Sequence, residues 1–134
     1  MRRAALATLA TLALAGCGTD SPDLFEVRRS GEDPAANVRL VVSDGGTATC
    51  NGGEAKALPG DMLLEARQLA RDLDKQAALS IELPAEKNST LRYVVRTEAG
   101  RVAFSDTSRG RPRTFDRAVA FTKKVVEGLC GIER

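Results

Sequence analysis

The stretch Leu91–Asp106, LRYVVRTEAGRVAFSD, decides the fold class. Leu91, Tyr93 and Val95 fall on one side of an extended chain, and Arg92, Val94 and Arg96 on the other. Successive side chains of a strand point to opposite faces, so this alternation predicts a half-buried strand. Glu98-Ala99-Gly100 turns the chain, and Val102 and Phe104 resume the pattern. Two alternating runs around a short Gly-bearing turn predict an antiparallel hairpin. A polar loop, Thr107–Arg113, follows it. Then Phe115, Ala118, Val119, Thr122, Val125, Val126 and Leu129 recur at helical spacing, with Thr114 as the expected cap.

The same order stands upstream. Leu24–Arg29 alternates, with Phe25 and Val27 opposite Glu26 and Arg28. Val38–Ser43 alternates again, Asp44-Gly45-Gly46 is a turn signal, and Thr47–Cys50 returns. Pro59-Gly60-Asp61 opens a helix, with Asp61 as cap and Leu63, Ala66, Leu69, Ala70, Leu73 and Ala77 as its buried stripe. The expected order is β-β-β-α-β-β-α. That is an α+β domain over residues 24–134, an antiparallel sheet of about five strands with two helices packed on one face.

Composition excludes several functions. The chain has 134 residues, room for one domain, and 43% hydrophobic against 28% charged residues is the balance of a folding chain. The formal charge is +2, and both Arg2 and Arg3 lie in a segment read below as removed. The remainder carries no basic excess, so no nucleic-acid partner is expected. There is no His, which removes the usual general base and the commonest metal ligand. No phosphate-cradling Gly motif and no nucleophile–base constellation is present, so no catalytic residue, metal site or cofactor is expected. A hydrolase or transferase working through Asp or Glu is the remaining enzymatic option.

The N-terminus reads as an address. Met1-Arg2-Arg3 is followed by twelve small and apolar residues, Ala4–Ala15, then Gly16-Cys17-Gly18 and a polar run. This is the order of a secretory signal peptide. As a helix the apolar run would span roughly 18 Å, short of a bilayer core of about 30 Å. Leu14-Ala15-Gly16-Cys17 resembles the lipobox of bacterial lipoproteins. The resemblance implies cleavage before Cys17, so that residues 1–16 are a signal peptide, and a diacylglyceryl thioether on Cys17. Residues 17–23 would be the lipidated N-terminus and its tether. Several acyl chains on one residue hold a protein durably, where one does not. The chain would then sit lipid-anchored on the extracytoplasmic face of the cell membrane.

With Cys17 given to lipid, Cys50 and Cys130 remain. An even remainder in an exported chain predicts one disulfide. Without His or a nearby third Cys they make a poor zinc site, and no C-x-x-C redox motif is present. One further feature stands out. Arg109, Arg111, Arg113 and Arg117 cluster around Gly110 and Pro112 in the loop before the last helix. Guanidinium forks there could take a carboxylate, a phosphate or an acidic lipid head. The plainer reading is a solvated loop, because fifteen of the twenty cations in this chain are Arg.

Phe25-Glu26-Val27-Arg28-Arg29-Ser30-Gly31, the central amphipathic helix, Leu91-Arg92-Tyr93-Val94-Val95 and the run from Val102 through Pro112 are similar in outline to the emfourin-like inhibitors of thermolysin-type metallopeptidases. That resemblance implies peptidase inhibition. The sequence departs from the pattern at Asp33-Pro34, which replaces a second Gly, and in its Cys pair and lipid anchor, and no inhibitory residue is carried over. The whole chain also resembles small, Arg-rich lipoproteins of actinobacterial type. The expectation is a non-enzymatic, membrane-anchored binding or accessory module, with a peptidase or an envelope component as protein partner. The alternative is an emfourin-like inhibitor of a secreted metallopeptidase.

Overall fold

A computed structural model describes residues 23–133. The expected signal peptide, Cys17 and the rest of the expected tether up to residue 22 lie outside the described residues, as does Arg134. The elements run β1 (Asp23–Gly31), β2 (Val38–Ser43), β3 (Thr47–Cys50), β4 (Lys56–Ala57), α1 (Gly60–Ala77), β5 (Leu91–Thr97), β6 (Gly100–Ser105) and α2 (Arg113–Gly128). A single 3-10 turn, Pro34–Ala36, joins β1 to β2. The strands form one antiparallel sheet in the order β4-β3-β2-β1-β5-β6.

The domain is therefore α+β as expected, but the sheet has six strands rather than five. The additional strand, β4, pairs Lys56 and Ala57 with Ala48 and Thr47. Two residues show no alternation, so no pattern announces them. The strand forms because Leu58 is buried and its amide reaches the Gly46 carbonyl at 2.9 Å. Asp23, read as tether, is the first residue of β1. Residues 81–83 also pair with β6, through Ala103 N–H to the Ile81 carbonyl at 3.0 Å and Leu83 N–H to the Ala103 carbonyl at 2.8 Å. That segment covers an edge that would otherwise expose unpaired backbone groups.

Both helix caps differ from expectation. α1 begins at Gly60 and α2 at Arg113, each behind a proline, and neither Asp61 nor Thr114 caps its helix. The ring of Pro59 or Pro112 presets a φ near that of the helix, and each proline carbonyl accepts a first-turn amide, from Leu63 and Phe115. Asp61 and Asp116 still sit in the first turns, where the helix dipole favours an anion.

One core lies between the helices and one face of the sheet. Phe25, Val27, Leu40, Val42, Tyr93, Val95, Val102 and Phe104 enter it from the strands. Ala66, Leu69 and Leu73 enter it from α1, and Phe115, Phe121 and Val125 from α2. The α1 stripe holds with one change: Met62 is buried and Leu63 only half-buried. On α2, Phe121 is fully buried, beyond the expected stripe, while Val119 and Leu129 are half-buried. Phe121 meets Phe25 edge-on, with ring centroids 5.8 Å apart. Gly100 has φ of +148°, and a Cβ there would strike the Ala77 carbonyl oxygen at the end of α1. Glycine thus lets the β5–β6 turn close against that helix end.

Cys50 and Cys130 are bonded, with Cα atoms 6.3 Å apart across 80 residues of sequence. Cys50 pairs with Leu40 across the ladder and so points toward the core side. Cys130 lies just past the end of α2 rather than on it, because the helix stops at Gly128 and its last carbonyls are taken up in a terminal turn.

The loop before β5 is held by one carboxylate. Asp106 accepts from Ser89 Oγ at 2.8 Å, Thr90 Oγ1 at 2.7 Å and the Thr90 amide. Burial pushes its pKa upward, but these bonds outweigh burial and hold it below the ordinary 3.8. A depressed carboxylate stabilises the fold above its unfolded pKa, and that contribution is lost as pH falls through the lower folded value. Asp106→Asn should therefore cost about 2 kcal/mol near neutral pH. The gap between the two proteins in thermal melts should narrow below pH 3.8. A gap independent of pH would mean the carboxylate charge is not what holds the loop.

Candidate functional site: the open face of the sheet

The helices cover one face of the sheet and leave the other to solvent. Strand alternation puts Glu26 and Arg28 of β1, Arg39 and Val41 of β2, Arg92, Val94 and Arg96 of β5, and Arg101 of β6 on that outer face. Register brings these residues together. Arg28 lies directly opposite Arg39, Glu26 opposite both Val41 and Arg96, and Arg96 opposite Arg101. With neighbouring strands about 4.8 Å apart, the arginines from β2 to β6 span roughly 14 Å.

Facing like charges destabilise a sheet unless something lies between them. Glu26 does this for one pair. Its carboxylate receives Arg28 Nε at 2.5 Å and Arg39 Nη2 at 2.9 Å. Burial raises the Glu26 pKa, and the hydrogen bonds and charges of Arg28 and Arg39 more than reverse this, leaving it below the ordinary 4.5. Arg92 is paired with Glu82 at 3.0 Å. Arg96 and Arg101 face each other, are exposed, and make no ion pair with any described carboxylate within 4.0 Å. Beside Arg96, a shallow hollow of about 530 Å³ is lined by Leu24, Glu26, Thr97 and Glu98. The face thus carries five guanidiniums against two carboxylates, with Asp23 and Glu98 at the rim of the hollow.

Arg29, next along β1, points the other way and is buried, only 6% exposed. Its Nε donates to the Ala36 carbonyl at 2.9 Å and its Nη2 to the Ala35 carbonyl at 3.2 Å, tying the 3-10 turn to the sheet. It lines a cleft of about 510 Å³ with Tyr93, Lys123 and Glu127.

The Arg109–Arg117 cluster is not assembled into one site. Arg111 folds inward, donating to the Ser105 and Asp106 carbonyls and pairing with Asp116 at 2.9 Å. Arg117 crosses between the helices to Asp72 at 2.7 Å. That guanidinium bond, aided by Gln68, holds the half-buried Asp72 carboxyl below its ordinary range. Arg109 has an 86% exposed side chain and stands 3.9 Å from Glu86, and Arg113 is exposed at the start of α2. Gly110, with φ of +68°, turns the loop between Arg109 and Arg111, and within α2 Arg117 is drawn off to Asp72 while Arg113 stays exposed at the helix start. The outer-face arginines are the reverse case: distant in sequence, gathered by strand pairing.

Among the described residues no group of three or more His, Cys, Asp or Glu side chains could hold a metal. No described helix is long and apolar enough to cross a membrane. Comparison of the chain with protein-family models, with curated proteins and with solved structures finds no match.

Proposed function

We propose that the chain is a bacterial lipoprotein whose α+β domain is displayed outside the cell membrane as a non-enzymatic binding or accessory module. Residues 1–16 would direct export and Cys17 would carry the lipid. The observation that supports a binding role is the outer sheet face, an uncovered surface with a charge excess that its own carboxylates leave unbalanced. Its flat, solvated side chains suit recognition of an anion better than enclosure of a small substrate. The chain's lack of His bears in the same direction.

Two measurements on the native host test this reading. Intact-mass analysis should find a chain beginning at Cys17 with lipid attached, and Cys17→Ser should leave the membrane fraction or accumulate uncut. A trimmed Cys17→Ser chain that stays in the membrane would sink the lipid assignment. Crosslinking in cells should then recover the face's partner. A secreted metallopeptidase recovered in a stoichiometric complex would place the chain among peptidase inhibitors instead.

A further inference from the structure

We infer that the arginine face of the sheet docks on the anionic phospholipid surface of the membrane that holds the anchor. This rests on the lipoprotein reading above and names the partner of that same face. Three observations carry it. The first is charge complementarity. Arg28, Arg39, Arg92, Arg96 and Arg101 outnumber Glu26 and Glu82 on one flat surface, and Arg96 and Arg101 form no ion pair within 4.0 Å among the described residues, although Arg96 lies across the ladder from Glu26, whose carboxylate is taken by Arg28 and Arg39. Lipid phosphates would supply the missing counter-charge, two oxygens to a guanidinium fork.

The second is reach. β1 begins at Asp23, six residues after Cys17. Six residues extend to roughly 20 Å at most, so a lipidated chain keeps its domain beside the bilayer. Such a tether makes docking effectively intramolecular, and even a weak contact is then populated. The third is what the face lacks. Its apolar members Val41 and Val94 are half-buried between the charged side chains, and no large apolar or aromatic side chain stands out from it. A protein partner usually needs such an anchor at the centre of its interface, whereas a charged lipid surface does not.

Basic residues near an anionic surface each add about fivefold to binding, so the face's excess, three charges before the rim acids Asp23 and Glu98 and one after, sets an expected gain on the order of tenfold over a neutral surface. The test uses the full chain from its host, mixed with vesicles of phosphatidylcholine alone or of phosphatidylcholine and phosphatidylglycerol in equal parts. Flotation with the neutral vesicles reads the anchor. Phenylglyoxal labelling, resolved arginine by arginine by mass spectrometry, reads the face. On anionic vesicles Arg28, Arg96 and Arg101 should label on the order of tenfold more slowly than on neutral ones. Arg109 should be unaffected, and molar salt should remove the protection. Arg96→Glu with Arg101→Glu, both exposed positions, should abolish the protection of Arg28 while leaving the melting curve in place.

Equal labelling on both vesicles would overturn the inference. So would protection seen in native membranes but not on anionic vesicles, which would give the face to an acidic protein. If the chain fails to float with neutral vesicles the anchor reading falls. The face is then read by salt-sensitive flotation with anionic vesicles, whose absence would overturn the docking as well.

Discussion

Replacing Cys50 and Cys130 together by serine is expected to lower the melting temperature by about 15 °C. The bond closes a loop across 80 residues, most of the described chain. In the chain-entropy account a loop of that length is worth roughly 4 kcal/mol, by restricting the unfolded ensemble. In the native state the bond fastens the end of α2 to β3, on the half of the sheet where β4 is only two residues long. That half has the least backbone pairing of its own, so loss of the bond should free the α2 end first. Hydrogen exchange should show amides after Val125 opening well before those of β5. A melting curve unchanged by the double substitution would mean the native protein does not depend on the bond.

Phe104→Ala should cost about 4 kcal/mol, a comparable shift in melting temperature, by a different route. Phe104 is fully buried and stacks between Tyr93 at 5.3 Å and Phe115 at 4.6 Å. These three rings join β5, β6 and the start of α2. Truncation removes the central ring and leaves a cavity that the stacked neighbours can only partly close. Phe104→Leu keeps most of the volume and should recover more than half of the loss. Equal costs for Ala and Leu would show that stacking rather than filled volume is at stake. The aromatic stack and the disulfide hold opposite ends of α2, roughly 20 Å apart along the helix. Their effects should therefore add to within about 0.5 kcal/mol.

The open face also links stability to its charge pattern. Glu26 binds two facing arginines on one side, and on the other Arg96 and Arg101 face each other without an ion pair among the described residues. A sheet selected for stability alone would place an acid opposite Arg96 on β6, where an ion pair could form directly across the ladder. The proposed docking gives that imbalance a use.

Alternation and helical spacing sufficed for the two long helices, the long strands and which side of each strand is buried. These are local consequences of backbone geometry: a period of two or 3.6 residues is written in a few consecutive side chains. The disulfide was legible too, because with Cys17 given to lipid two cysteines remain and one pairing is available. Strand order was not legible, since nothing within β1 states that it sits between β2 and β5. Nor was β4, whose two residues are held by a neighbour's carbonyl and a buried Leu58. The same limit hid the candidate face. Alternation placed Arg28, Arg92 and Arg96 outward on their own strands, but only the ladder sets Arg28 against Arg39 and Arg96 against Arg101. The cluster visible along the chain at Arg109–Arg117 was dispersed for the converse reason, since a turning backbone sends neighbouring side chains to separate carboxylates and carbonyls. Periodicity belongs to the chain itself, whereas charge density on a surface belongs to whichever strands the core draws side by side.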